Sequence, residues 1–246
     1  MEKSTLKSEI RFYAIFLACF MAFWTFGYGH YRIPSESMQP TLEVGDRLYV
    51  SKFSYGYSRH DIPFGYRMKF LGDGVFNPSL PERGDVVVFR NPKSNMVLIK
   101  RCIGLPGDSI EYRQGRLFVN GEMIARAPED EFLYREHSGR KEPQGRVVKV
   151  TQYAEQLPGE DIPHMIYERT DGEYNDQRGP FSVPEGHLFF AGDNRDNSTD
   201  SRAPRGPGYV PLDHVIGRAE RMVLSFKRCE DEEGLRCPGK RWLIKL

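Results

Sequence analysis

One long apolar segment lies near the N-terminus, and short alternating segments fill the rest of the chain. Residues 12–27 read FYAIFLACFMAFWTFG without a charge. They are slightly fewer than the ~20 of an ideal membrane-spanning helix. A cleaved signal peptide would end at small residues, whereas this segment runs out through Trp24, Phe26 and Tyr28. A buried helix is a second alternative, but the segment is apolar on every face. We therefore predict a transmembrane anchor over 12–28.

The charges on either side of this segment predict its orientation. Three basic residues precede it, whereas the charges that follow are mixed: Lys3, Lys7 and Arg11, then Arg32, Glu36 and Glu43. The positive-inside rule then places residues 1–11 in the cytoplasm and the remainder outside. No second apolar run of spanning length follows. We expect a single-pass protein whose body is tethered to the outer face of the membrane.

The body of the chain alternates β-branched or aromatic runs with turn sequences. Such runs occupy 47–50, 85–89, 96–103, 116–119, 147–150 and 187–190. Asn120-Gly121 separates two short runs and is a strong signal for a tight hairpin. No helical period of useful length follows the anchor. The predicted fold class is mostly β, an N-terminal transmembrane helix followed by a β-rich domain.

The middle of the chain differs from its flanks. Residues 127–184 are more polar and lack clear periodicity. We predict that 109–184 form an inserted second β subdomain of variable loops and short strands. The two parts of the core would then be 29–108 and 185–246. Aromatic residues around Gly and Pro within 54–80 predict a membrane-proximal ribbon, and packing of these rings on the core is an equal alternative.

Charge and cysteine content narrow the function classes. The net charge of the 246 residues is +1, which gives no nucleic-acid footprint. Cys229 and Cys237 bracket a short polar loop, and a disulfide is plausible if this region is extracytoplasmic. A metal site there is disfavoured, because no Cys-x-x-Cys pair or histidine lies nearby.

Two residues could carry out nucleophilic chemistry. Ser37 lies in PSESMQPTL (34–42), directly after the anchor. A serine nucleophile needs a base, and a lysine serves only if it is held neutral. Lys100 lies in the apolar run 98–103, where alternation puts it on the face opposite Arg101. Arg101 cannot lose its proton, whereas burial can lower the pKa of Lys100 from ~10.4.

Neither face of this run is identified as the inner one by alternation, so Lys100 could also be an edge-strand lysine with its amine in water. Lys52 competes for the same role. An anchor, a serine and a lysine together indicate a membrane-bound serine hydrolase.

A third cluster, GDNRDNSTDSR (192–202), is dense in residues that favour turns. A calcium loop of the EF-hand type does not fit, because from Asp196 the sixth and twelfth positions hold Ser201 and Pro207. The Gly-x-Ser-x-Gly, Walker A and His-Glu-x-x-His motifs are absent. We expect no cofactor and no metal.

Taken together, these segments resemble bacterial type I signal peptidases (leader peptidases). The resemblance rests on SESMQPTL (35–42), GDRLYV (45–50) with Lys52-Phe53, RGDVVVF (83–89), KRCIGLPGD (100–108) and GDNRDNS (192–198) extending to Arg202, in this order behind an anchor. It implies a protein anchored in the inner (plasma) membrane by a single span, with a β-rich catalytic core on the periplasmic side. Its substrates would be exported preproteins, cut after small residues at positions −3 and −1.

The resemblance also implies roles for individual residues. Ser37 would be the nucleophile and Lys100 the general base. Ser198 would orient the lysine amine, and the Ser35 hydroxyl would join the Ser37 N–H in an oxyanion hole. The residues that would support the site are Asp193, Asp200 and Arg202.

Two other functions compete. A self-cleaving repressor protease shares the Ser–Lys chemistry but would carry a DNA-binding helix-turn-helix in place of the anchor. A non-catalytic, membrane-tethered β domain that binds envelope partners would tolerate replacement of Ser37 and Lys100.

Overall fold

The protein is described here by a computed structural model that covers residues 2–62, 65–68, 70, 72, 74–136, 145–226, 232–239 and 241–246. Helix α1 spans Glu2–Phe26, a stretch without proline or glycine. It ends at Gly27, whose N–H donates to the carbonyl of Phe23 at 2.7 Å. Phe12 and Phe16 are among its many exposed apolar side chains.

The predicted anchor coincides with the second half of α1. Within the described ranges, no helix combines the length and the hydropathy that crossing a membrane requires. The prediction of a transmembrane anchor over 12–28 is therefore not confirmed.

The body is built from strands, as the alternating pattern predicts. In chain order they are β1 (Tyr28–Arg32), β2 (Asp46–Ser51), β3 (Val86–Arg90), β4 (Val97–Gly104), β5 (Ser109–Arg113), β6 (Arg116–Val119), β7 (Glu122–Met123), β8 (Arg126–Arg135), β9 (Val147–Glu155), β10 (His164–Glu168), β11 (Arg178–Ser182), β12 (His187–Ala191), β13 (Val210–Pro211), β14 (Val215–Ser225) and β15 (Trp242–Lys245). Short 3₁₀ turns occupy Gly65–Arg67, Tyr174–Asp176, Arg195–Asn197 and Leu212–His214. The prediction of a mostly β body is confirmed.

The largest sheet has eight strands in the order β1-β2-β14-β3-β4-β12-β13, with β15 paired to β14. It joins strands from both ends of the body, because β14 pairs with β2 and β3, far apart in sequence. Strand β4 is inside this sheet, between β3 and β12. All of its residues from Lys100 to Gly104 except the glycine carry buried side chains, on both faces.

Strands β5 to β11 form two smaller sheets. One has the order β11-β5-β6-β7, and the other has the order β10-β9-β8. The hairpin expected at Asn120-Gly121 joins β6 to β7, with Val119 opposite Glu122. The division of the chain at 109 and 184 stays a prediction.

The structure gives partial information on two other predictions, the ribbon within 54–80 and the disulfide between Cys229 and Cys237. Within 54–80, Tyr57 pairs with Phe76 in an isolated bridge, and Phe70 and Phe76 are exposed. Cys237 is disulfide-bonded, whereas Cys19 and Cys102 are free. Cys229, its predicted partner, lies outside the described residues.

Candidate active site

Ser37 lies on a loop between β1 and β2 whose base is closed by the backbone. The N–H of Ile33 donates to the carbonyl of Asp46 at 2.9 Å, and the N–H of Gly45 donates to the carbonyl of Ile33 at 2.8 Å. Gly45 has φ of 98°, a left-handed conformation that suits glycine. Met38 and Leu42 project from the loop into the hydrophobic core beneath the large sheet. The loop is thus fixed by packing on either side of Ser37.

Lys100 reaches this loop from β4. Its Nζ lies 2.5 Å from Ser37 Oγ and donates to the carbonyl of Ile99 at 2.9 Å. Both side chains are buried, with 4% of Lys100 and 9% of Ser37 exposed. Lys52, the competing lysine, instead donates to the carbonyls of Thr25 and Asp61 at 3.0 and 3.2 Å. The structure therefore brings Lys100, and not Lys52, to Ser37.

The environment of Lys100 favours its neutral form. Burial lowers the pKa of Lys100 from 10.5 to about 8, because desolvation penalises the ammonium ion. The carboxylates of Asp200 and Asp193 act in the opposite direction, and the nearby Arg202 charge lowers the pKa further. A lysine held in this way can accept a proton from a neighbouring hydroxyl near neutral pH.

Ser35 and Ser198 flank the pair differently. Ser35 is exposed, and its Oγ lies 3.4 Å from Ser37 Oγ. A hydroxyl in this position can reach a group bound above Ser37. Ser198 is buried, and its Oγ has no hydrogen-bond partner of ordinary geometry within the described residues. It nevertheless lies close enough to Asp200 to contribute slightly to the lowered pKa of that carboxyl.

Gly192 brings Ser198 and the Ser37 loop together. A Cβ atom at this position would lie 2.3 Å from both the carbonyl oxygen of Ser37 and Ser198 Oγ. The neighbouring Asn194 donates its N–H to the same Ser37 carbonyl at 3.2 Å. The segment after β12 therefore supports the backbone of Ser37 directly. Only glycine fits at the point where this segment touches the Ser37 loop.

Two buried ion pairs involve the residues predicted to support the site. Arg101 binds both carboxylate oxygens of Asp193 at 2.8 and 2.7 Å. Arg202 binds both oxygens of Asp200 at 2.9 Å. Burial alone would raise the pKa of each aspartate, but the facing arginine outweighs it and lowers the pKa. Both carboxylates therefore stay ionised at neutral pH and keep the two arginines neutralised.

A third buried pair was missed by the sequence analysis. Arg195 is fully buried and donates to Glu155 Oε2 at 3.0 Å and to the carbonyl of Gly192 at 3.1 Å. Glu155 comes from β9, within the polar middle of the chain. Burial raises the pKa of Glu155, but the charge of Arg195 and the hydrogen bonds from His164 and Arg195 together lower it below its ordinary value. A polar segment gives no local sign that one of its carboxylates will face a core arginine 40 residues later.

The same small sheet makes further contacts with the segment after β12. Tyr167 on β10 donates its N–H to the carbonyl of Asp193 at 2.9 Å. His164, also on β10, lies 3.4 Å from Glu155 and 2.9 Å from Glu160. Residues of β9 and β10 thus hold the segment that supports Ser37.

Comparison with known proteins identifies the family to which the chain is similar. The family described as signal peptidase, peptidase S26, matches residues 6–224. The chain is 38% identical over 205 residues to signal peptidase I of Pseudomonas aeruginosa, covering 80% of this chain and 64% of that protein. It is 35% identical over 201 residues to signal peptidase I of Rickettsia bellii, covering 79% and 65%. The chain thus spans just under two thirds of the length of these relatives.

A solved signal peptidase I from Enterococcus faecalis V583 is 30% identical in sequence. The match covers 57% of this chain and 97% of that chain, with a TM-score of 0.32.

Proposed function

Because the chain belongs to the signal peptidase family, peptidase S26, we propose that it is a serine endopeptidase that removes N-terminal signal peptides from exported preproteins. The observation that carries this proposal is the buried contact of 2.5 Å between Ser37 Oγ and Lys100 Nζ. A hydroxyl next to a lysine of lowered pKa is an activated nucleophile.

The reaction would begin with proton transfer from Ser37 Oγ to the neutral amine of Lys100. The oxygen forms a bond to the carbonyl carbon of the scissile peptide, and a tetrahedral oxyanion develops. The Lys100 ammonium then gives its proton to the departing amine as the carbon–nitrogen bond breaks. Water then attacks the resulting ester while Lys100 accepts a proton from it. Lys100 returns this proton to Ser37 Oγ as the bond between Oγ and the acyl carbon breaks, which restores the serine and the neutral amine.

The oxyanion would be stabilised by the Ser37 N–H and the Ser35 hydroxyl. The exposed position of Ser35, 3.4 Å from the nucleophilic oxygen, supports this assignment. Such donors typically contribute about 3–4 kcal/mol to lowering the barrier. Ser198 would orient the Lys100 amine, and its burial beside Gly192 supports a role in positioning. Cleavage would follow small residues at positions −3 and −1.

We also propose that residues 12–28 attach the protein to the inner membrane, with residues 1–11 in the cytoplasm. The charge-free run and the exposed phenylalanines of α1 support this attachment. Carbonate extraction of membranes carrying the full chain is the test, and release of the protein into the soluble fraction would refute it.

The catalytic assignment is tested with a preprotein that carries an Ala-x-Ala cleavage site. We expect the wild-type protein to cut at this site, and Ser37→Ala and Lys100→Met to be inactive although folded. Lys52→Met is the matched control, because Lys52 is also a buried lysine of lowered pKa, but its amine donates to the backbone carbonyls of Thr25 and Asp61.

An active Ser37→Ala variant would exclude Ser37 as the nucleophile. An inactive Lys52→Met with an active Lys100→Met would assign the base to the other lysine. Failure of the wild-type protein to cut would favour a non-catalytic binding domain.

A further inference from the structure

Three side chains with metal-ligating atoms meet where the segment after β2 approaches the 3₁₀ turn before β14. One ligand atom each of His60, Asp213 and His214 lies within 4.8 Å of the other two. His60 Nε2 is 3.9 Å from Asp213 Oδ2, and the two imidazole rings have centroids 4.3 Å apart. None of the three belongs to the Ser37–Lys100 site.

The second nitrogen of His214 is already engaged in a way that suits a ligand. His214 Nδ1 lies 2.9 Å from the carbonyl oxygen of Arg90. A carbonyl can only accept, so Nδ1 carries the hydrogen, and in the neutral ring Nε2 keeps its lone pair. Metal-bound histidines usually donate their other N–H to such an oxygen, which fixes the ring and its tautomer.

The surroundings allow an ion to enter while limiting water. The side chain of His60 is 2% exposed and that of Asp213 is 16% exposed. Asp213 also lines a cavity of about 340 Å³ together with Gly74, Val75 and Pro78. A small hydrated cation could enter through this cavity and exchange water for the buried imidazole.

We propose that His60, Asp213 and His214 form a binding site for a divalent transition-metal ion, with zinc the best match. Two imidazoles and one carboxylate are a common zinc ligand set, and three protein ligands leave a fourth position for water. Bonds of about 2.0–2.2 Å would draw the ligand atoms closer by roughly half an ångström relative to the 3.9 Å separation.

The side chain of Arg59 must move before His60 can bind a metal ion. Arg59, which is partly exposed, places its Nε 3.5 Å from His60 Nε2, a long hydrogen bond to the nitrogen that would ligate. Removing this cation relieves both the competing contact and its repulsion of a metal. Arg59→Ala is therefore expected to bind the ion more tightly than the wild-type protein.

The ion would join parts of the chain that are far apart in sequence. His60 follows Tyr57, whose hydroxyl donates to the carbonyl of Phe26 at the end of α1 at 2.7 Å. Asp213 and His214 lead directly into β14, a central strand of the large sheet. Metal binding would thus fasten the segment next to α1 to the core of the body and raise the melting temperature.

The test is zinc titration of the full, chelator-treated chain by calorimetry, with cobalt as a spectroscopic probe. We expect one ion per chain, cobalt absorption bands typical of nitrogen and oxygen ligands, and a higher melting temperature with zinc. His214→Gln and Asp213→Asn should each weaken binding by at least about tenfold. His187→Gln is the control, since its Nδ1 also lies 2.9 Å from a backbone carbonyl but outside the cluster.

Melting of each variant in chelator separates loss of the site from loss of the fold. Undiminished zinc binding by His214→Gln and Asp213→Asn would overturn the proposal, because the ion would then bind elsewhere. Absence of saturable binding by the wild-type protein would also overturn it. Neither result bears on peptidase activity, so the metal site and the proposed function are tested separately.

Discussion

Burial of Lys100 makes a quantitative prediction about activity. Its pKa falls from 10.5 to about 8. At pH 7, a lysine with a pKa of about 8 is neutral in about a tenth of the molecules, against about 0.03% for an unperturbed lysine. The folded protein therefore offers roughly 300 times more of the reactive base at this pH. The cost of this shift is about 3 kcal/mol, at 1.36 kcal/mol per pKa unit.

The assay is kcat/KM for a fluorogenic signal-peptide substrate between pH 6 and pH 10. Only the neutral amine accepts a proton, so we expect kcat/KM to rise about tenfold per pH unit and to level off above about pH 8. Lys52→Met should show the same profile. A profile that is flat from pH 6 to pH 9, or one that levels off only above pH 10, would refute the assignment of Lys100 as a base of lowered pKa.

The same shift also predicts how stability depends on pH. The pKa of Lys100 is lower in the folded state than in the unfolded state, so the unfolded chain binds more protons between about pH 8 and pH 10.5. The penalty of about 3 kcal/mol is complete below pH 8 and vanishes above pH 10.5. Lys100→Met should therefore melt higher than the wild-type protein at pH 7, with a difference that narrows towards pH 10.5. An unchanging difference would contradict this account.

The remaining predictions concern the support beneath Ser37. Gly192→Ala should lower kcat by at least about a hundredfold, because a Cβ 2.3 Å from the Ser37 carbonyl displaces Ser37, the proposed nucleophile. Gly239→Ala, where a Cβ meets no atom within 4 Å, is the control in the peptidase assay. Glu155→Gln should destabilise the fold by roughly 3–5 kcal/mol in urea unfolding, because it removes the carboxylate that is paired with the buried charge of Arg195. Unaltered stability would show that Arg195 is neutralised by another group.

The candidate residues of the site could be selected from the sequence, because they stand out by residue type and short-range pattern. Ser37 in a turn-rich segment, Lys100 in an apolar run and the hairpin at Asn120-Gly121 are all local features. Alternation along β4 could not identify the inner face, and the structure gives the reason. Strand β4 has neighbours on both sides and is covered on both faces, so Lys100 and Arg101 are both buried.

The order of the strands decided which distant residues come into contact, and no local sequence pattern contains this information. Ser37 and Lys100 are 63 residues apart, and their contact depends on how β4 lies relative to the loop after β1. Lys52 has a similar sequence setting, but its amine donates to the carbonyl of Thr25 near the end of α1 and to the carbonyl of Asp61. Glu155 meets Arg195 only because β9 packs on the segment after β12. The sequence by itself supplied the candidate side chains, Ser37 with either Lys100 or Lys52. Tertiary packing decided which of them meet, because pairing between distant strands is set by the register and burial of the whole sheet.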